Sequence, residues 1–296
     1  MKRSGISRLL DRYRITDGKG FRLKHVDPGE DGDGVAPQAQ AEALLLKGVQ
    51  RLAALQEKLY AQDRWSLLCV FQAMDTAGKD GTIKHVMSGV NPAGVRVHSF
   101  KAPGPEQLAH DFLWRAHAEV PERGRIGIFN RSHYEEVLVV RVHPDLLDAQ
   151  HVPAEKIGKK IWEHRLEDIA AFEKHLCRQG TIVLKFFLHI SRDEQKQRIL
   201  ARIDDPAKNW KFSPNDLSER LRWDAYMDAY EAAISGTAST HAPWFVVPAN
   251  HKWFAHLVVV EAMIEALEAL ELRTPVPTQA QVQALAEARR HLENEG

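Results

Sequence analysis

Lys79, with Gly78 before it, Asp75 three residues further back and Asp80, Gly81 and Thr82 after it, is the combination of residue types in this chain best suited to chemistry. It lies in Phe71-Gln-Ala-Met-Asp-Thr-Ala-Gly-Lys-Asp-Gly-Thr82, directly after the apolar run from Trp65 to Val70. An apolar strand that turns into a helix at Gly-Lys aims orphan backbone N–H groups and the positive end of the helix dipole at one place, where phosphate oxygens are favoured. The Lys79 ammonium reaches the same oxygens. The pattern is a P-loop with two departures: Ala73 replaces the leading Gly, and Asp80 stands where Ser or Thr is usual. A carboxylate among donors built for anions repels a polyanion unless a cation lies between them. Asp75 is therefore expected to be a Mg²⁺ partner. Asp80 also fits the simpler task of complementing a helix start.

A second cluster follows the strand Arg125-Ile-Gly-Ile-Phe129, in Asn130-Arg131-Ser132-His133-Tyr134-Glu135-Glu136. Here a P-loop enzyme normally carries a metal-proximal carboxylate. This chain has neutral Asn130, with Arg131 beside it and Glu135 and Glu136 a turn later. Position at the end of a buried strand favours a functional Arg131 over a surface charge. A third region holds Arg198, Arg202 and Asp204-Asp-Pro-Ala-Lys208-Asn-Trp210-Lys211-Phe212. It is a polar excursion between two helices, as mobile lids are. Phosphoryl transfer needs in-line positioning, metal and positive charge rather than covalent work, and a cationic flap would also exclude water. The fifteen histidines show no metal-ligand spacing, so His133 and His143 are expected to hydrogen-bond. Trp114, Trp223, Trp244 and Trp253 read as core.

The elements that would position these residues follow from periodicity. Ala39–Tyr60 is helical, with Leu44, Leu45, Val49, Leu52, Leu55 and Leu59 on one face. Later helices are expected over Glu106–Val120, Lys156–Arg178, Arg192–Ile203, Ser213–Ile234 and Trp253–Leu270. A shorter one is expected over Val137–Val142 despite its valines. Strands are expected over Val95–Phe100, Arg125–Phe129, Thr181–Ile190 and Trp244–Pro248, besides the one before the P-loop. Strands alternating with helices predict a parallel sheet covered on both faces, with ligands at the carboxyl ends of the strands. Residues 1–37, basic and then rich in Gly and Asp, read as a flexible arm. Residues 38–272 read as one kinase-like domain with a lid over about 202–222, and 273–296 as an exposed helical tail.

Composition sets outer limits. Forty basic and forty acidic residues leave no net charge, which argues against broad nucleic-acid binding. No apolar run approaches the roughly 18 residues of a membrane span, and the start lacks the apolar core of a signal peptide. Cys69 and Cys177 have neither metal nor redox spacing and read as reduced thiols of a cytoplasmic protein.

Together, Met74-Asp-Thr-Ala-Gly-Lys-Asp-Gly81, Phe129-Asn-Arg-Ser-His-Tyr-Glu-Glu136 and Asp204-Asp-Pro-Ala-Lys-Asn-Trp-Lys211 resemble the polyphosphate kinase 2 family. Phe186-Phe-Leu-His-Ile-Ser191, His241-Ala-Pro-Trp-Phe245 and Asn250-His-Lys-Trp-Phe254 resemble it too, so the likeness runs from about Leu44 to Leu267. The resemblance implies a thymidylate-kinase-like P-loop fold, α/β in three layers with a helical lid, in a dimer or tetramer. It implies phosphoryl exchange between inorganic polyphosphate and AMP, ADP or ATP with Mg²⁺. Asp75 matches the family's metal and catalytic residue. Lys79, Lys84 and Arg131 match its phosphate-binding cations, and Arg202, Lys208 and Lys211 fall in its lid.

Many family members carry Asp at the place of Asn130 and Asn at the place of Glu135. The Asn/Glu pair is similar to the subgroup that uses both mono- and diphosphates. Asn130 removes a repulsive charge, and Glu135 restores a carboxylate for metal one turn away. Two other functions fit a P-loop: an ATP-dependent nucleoside monophosphate kinase, and a nucleotide-binding switch.

Overall fold

Strands alternate with helices in the computed structural model, which describes residues 5–32, 34 and 38–295. The first half holds α1 (Gly5–Tyr13), β1 (Arg14–Ile15), α2 (Ala41–Gln62), β2 (Ser66–Gln72), α3 (Lys79–Val86), β3 (Val95–Ser99), α4 (Pro105–Leu108), α5 (Trp114–His117) and β4 (Ile126–Asn130). The second holds α6 (Val139–Val142), α7 (Ile161–Arg178), β5 (Thr181–His189), α8 (Arg192–Asp204), α9 (Pro214–Leu221), α10 (Trp223–Thr237), β6 (Trp244–Pro248), α11 (Lys252–Glu268) and α12 (Gln279–Glu293).

One sheet runs β1-β6-β5-β2-β4-β3, parallel throughout except for β1, which pairs antiparallel with β6. All seven residues of β2 are buried, which requires helices on both faces. Helices α1, α2 and α3 pack with α11, and α7 packs with β5 and α10. Phe71, Phe186 and Phe245 occupy paired positions on β2, β5 and β6, and their rings stack across the sheet at 5.0 and 5.5 Å. The same register sets Phe71 beside Asn130. The P-loop and the second cluster therefore leave the sheet side by side, at the point where the chain begins to cross to either side of β2.

Part of the arm expected over 1–37 is packed into the core; residues 1–4, 33 and 35–37 lie outside the described residues. Leu9, Leu10, Tyr13 and Leu23 are core residues, and Tyr13 meets Phe254 of α11 edge-on. Arg14 pairs with Glu265 and lies over the Phe245 ring. The Gly- and Asp-rich composition of the later arm masked a short run of helix-spaced apolar residues. Three helices also depart from expectation. The 106–120 stretch breaks into α4 and α5, because the Asp111 side chain accepts the Leu113 N–H and turns the chain. The helix expected from Lys156 begins at Ile161, leaving Ile157 outside at 37% exposure. The 213–234 helix breaks at Arg222 into α9 and α10. The expected tail is α12, with no buried residue.

If the N-terminal segment belongs to the core, Leu10→Ala lowers the unfolding free energy by about 2–5 kcal/mol. The midpoint of urea denaturation measures it, and an unchanged midpoint would return residues 5–15 to the status of an arm.

Candidate active site

The P-loop departs from β2 through strained backbone. Thr76 has φ +66° and Gly78 φ +107°, left-handed values that are easy for glycine and costly for threonine. Gly78 is the residue before α3, so the helix's first N–H groups open on the loop. The Lys79 ammonium donates to the Ala73 carbonyl at 2.7 Å. Burial and the neighbouring Arg131 push its pKa down, while Asp75, Glu135 and Asp80 oppose that shift.

Arg131 is the hub of the cleft. Its φ of +61° is unusual for a side chain of its size, and its N–H donates to Phe71 O at 3.0 Å. The guanidinium donates to Asp75 Oδ1 at 3.0 Å and to Glu135 Oε2 at 3.4 Å. One cation thus stands between two carboxylates from separate strand ends. Burial pushes the Glu135 carboxyl up, against the pull of Arg131 and Lys79. Glu135 in turn holds Arg131 more firmly protonated. Beside them, Asn130 Nδ2 donates to Asp80 Oδ1 at 2.7 Å.

Arg198 comes from α8 and is not a free lid cation. It donates to the carbonyls of Ala77 at 2.7 Å, Ala249 at 2.6 Å and Asn250 at 3.0 Å. Gln195, one turn earlier, donates to Asp75 O at 3.1 Å. These bonds take up P-loop carbonyls and leave the opposite side of the loop to its N–H groups. Arg202 pairs with Asp216 at 3.1 Å. The Asp216 carboxyl is pushed up by burial and next by Asp75, so this pair faces the cleft.

The expected site residues do not all meet. Asp75, Lys79, Asp80, Asn130, Arg131 and Glu135 converge. Gly78 and Gly81 line the loop and the first turn of α3, and Lys84 is exposed on α3. Thr82 is a correction: its side chain is buried and its N–H is bonded to Gly78 O, because the first regular helical bond closes there. Lys208 pairs with Asp205, and Lys211 lies over Trp210. Neither bonds to the P-loop. His133 is also a correction: it is fully buried, neither ring nitrogen has a hydrogen-bond partner, and Nε2 lies 3.8 Å from Glu173 Oε1. His143 does bond, to Glu219 at 2.8 Å.

Sequence reasoning missed a chamber of about 450 Å³ with Phe112, Arg115, Glu136, Gln150, Val152 and Arg165 among its walls. Arg165 donates to Glu136 Oε2 at 3.1 Å and Arg115 to Lys101 O at 2.8 Å. Glu136 follows Glu135 in one 3₁₀ turn, so a single short segment serves both chamber and cleft. Only the Glu-Glu doublet could have signalled it, since both arginines lie in stretches read as ordinary helix.

Among the described residues, no three His, Cys, Asp or Glu side chains converge as a metal cage. Asp75 and Glu135 still suit a hard cation that keeps waters and takes its remaining oxygens from phosphates.

A family model described as Polyphosphate kinase 2 (PPK2) matches residues 36–275. The chain is 53% identical over 250 residues to an ADP-polyphosphate phosphotransferase of Rhodopseudomonas palustris, covering 84% of this chain and 86% of that one. It is 46% identical over 273 residues to an AMP/ADP-polyphosphate phosphotransferase of Meiothermus ruber, covering 92% and 97%. The crystal structure of polyphosphate kinase 2 from Arthrobacter aurescens superposes with a TM-score of 0.82 at 43% identity, over 93% of this chain and 95% of that one.

Asp75→Ala and Lys79→Ala are each expected to slow phosphoryl transfer at least about a hundredfold, with the thermal midpoint close to that of the parent. Steady-state rates and a melting curve on the same preparations check both halves.

Proposed function

The chain belongs to the polyphosphate kinase 2 family and is a phosphotransferase; on that premise we propose that it moves phosphoryl groups from inorganic polyphosphate to AMP and ADP, forming ADP and ATP, reversibly in principle. The observation that carries this reading is Arg131 bridging Asp75 and Glu135 beside Lys79. Two polyanions can share that cleft only if cations offset their repulsion at the migrating group.

In this reading Lys79 leaves the Ala73 carbonyl for a phosphate oxygen, joined by the N–H groups of Gly78 to Gly81. Arg131 turns from the carboxylates to the transferring phosphoryl group. Asp75 and Glu135 would then hold Mg²⁺, which screens phosphate oxygens when bound. Asn130 keeps Asp80 hydrogen-bonded without adding charge. The 202–222 excursion is the lid, with Arg202, Lys208 and Lys211 as its cations. Lys252 adds to them from α11: its pKa is pushed down by burial, then by Arg198, then by Lys208, so the three cations lie near one another. Closure over the reactants keeps water from the phosphoryl group.

The chamber beside Glu136 is the acceptor's place. Its apolar walls suit a nucleoside, and Arg115 and Arg165 suit the polar edge of the base or ribose.

The assembly is a homo-oligomer, a dimer or tetramer. Its support is α12, whose Val282, Leu285 and Leu292 are 54%, 63% and 68% exposed on a helix of a length that is marginal alone. No helix among the described residues is long and apolar enough to cross a membrane. The compartment proposed is the cytoplasm, where Cys69 and Cys177 stay free thiols.

Purified protein given AMP, a magnesium salt and polyphosphate, with no ATP, is expected to produce ADP and then ATP, and a chelator in excess stops both. Equal turnover with ATP as sole donor would favour an ATP-dependent monophosphate kinase. Binding without turnover on any donor would favour a switch.

Glu135→Ala is expected to damage AMP use more than ADP use, and Arg115→Ala to raise KM for the nucleotide at least about tenfold with KM for polyphosphate little changed. Equal loss on both acceptors would refute the role given to Glu135. An unchanged nucleotide KM would remove the acceptor from the chamber.

A further inference from the structure

Beneath the Asn130–Glu136 segment lies a charged cluster sealed from water. Lys185 of β5 is 0% exposed and Glu173 of α7 1%. Lys185 Nζ donates to Glu173 Oε2 at 2.5 Å, to Thr237 O at 2.8 Å and to Tyr134 OH at 3.2 Å. The Tyr134 hydroxyl donates to Glu173 Oε1 at 2.7 Å and lies 2.8 Å from Thr237 Oγ1. That oxygen accepts from Trp244 Nε1 at 2.9 Å and donates to Ala233 O at 2.7 Å. One phenol is thus tied to a β-strand, two helices and, through Thr237, a second strand.

Stability alone does not require such a cluster. Removing a lysine and a glutamate from water is expensive, and well-packed apolar side chains of similar volume are often as stable or more so. What a buried ionic cluster supplies is direction, because its bonds fit only one arrangement. The residue it fixes is Tyr134, in a single 3₁₀ turn over His133–Val137, too short to define its own shape. Arg131 lies three residues before Tyr134, in left-handed backbone, and Glu135 immediately after it. Movement of the phenol would carry both groups of the cleft with it.

We propose that Lys185 and Glu173 are positioning residues for phosphoryl transfer. They anchor the Tyr134 hydroxyl and, through the turn it belongs to, set where Arg131 and Glu135 stand against the reacting phosphoryl group. This rests on the phosphotransfer reading, though not on which donor is used. The cluster touches neither the P-loop nor the chamber, so its effect falls on the rate of the chemical step and not on substrate affinity. A displacement on the order of 1 Å in such groups costs up to about a hundredfold in rate.

Two variants test this beside the parent, each assayed with polyphosphate and with ATP as donor and each melted. Tyr134→Phe removes only the hydroxyl. The combined variant Tyr134→Phe, Lys185→Met, Glu173→Met replaces the whole cluster with apolar groups of similar volume. Both are expected to melt cooperatively near the parent midpoint, with kcat lower by about tenfold or more and KM for donor and acceptor within about threefold. A kcat within twofold of the parent in a folded variant overturns the proposal, as does a rise in KM at unchanged kcat. Loss of the cooperative melt in Tyr134→Phe overturns it too, since the cluster would then be structural. A parent that turns over with ATP alone refutes the donor assignment but leaves this comparison intact. A parent inactive on both donors overturns both readings.

Discussion

Like-charge repulsion at the carboxyl edge of the sheet is the constraint on which the rest of this structure depends. Asp75 and Glu135 come from the ends of neighbouring strands, and the Arg131 guanidinium bonds to both and offsets their repulsion. The register of β2 against β4 makes this possible, because it sets Phe71 beside Asn130 and so starts both loops at one level. Left-handed backbone at Arg131 then swings its side chain over the P-loop. Such strain persists only where the surroundings over-determine it. Here Phe71 O holds the Arg131 N–H, and the Ser132 hydroxyl accepts from Gln72 Nε2 and from the Tyr134 N–H.

The same economy of charge runs outward. Asn130 meets the Asp80 carboxylate with an uncharged amide donor, so no second negative charge faces it there. Arg198, which looks from the chain like one more lid cation, spends its donors on the carbonyls of the P-loop and of the loop after β6. The first turns of α8 are thereby fastened to the cleft, short of the polar excursion that follows the helix. Arg202, further along α8, is paired with Asp216 at the start of α9, so the two ends of that excursion are tied by opposite charges.

Much of this could be read in the chain because local signals dominate it. A fully apolar strand ending in Gly-Lys admits few arrangements, and the strand before Asn130-Arg131 has the same character. Five of the six strands were therefore legible to within two residues, β1 being the exception, and the converging groups could be named. What could not be read depends on packing between distant segments. Arg115, Arg165 and Glu136 meet across a cavity wall formed by three separate stretches. Lys185 sits in a run of apolar residues, where nothing local announces that Glu173 awaits it. Thr82 has the residue type of a phosphate ligand but falls on the buried side of α3, a matter of helix phase. The packing of residues 5–15 could not be read either, because Leu9, Leu10 and Tyr13 find their partners in β6 and α11, more than two hundred residues on.

That stretch includes two residues with a large effect on how the molecule meets its own copies. Without β1, strand β6 would be an outer strand, with apolar Phe245, Val246 and Val247 and a free row of backbone donors and acceptors, a ready template for edge-to-edge aggregation. Arg14 and Ile15 occupy that template at its start, and the helix before them is held by the core, so the cover cannot easily drift away. At the opposite edge no further strand pairs with β3 among the described residues, and the charged or polar side chains of Arg96 and His98 discourage pairing there. One border of the sheet is thus protected by an added strand and the other by its own polarity, and only the first could be lost by clipping the chain.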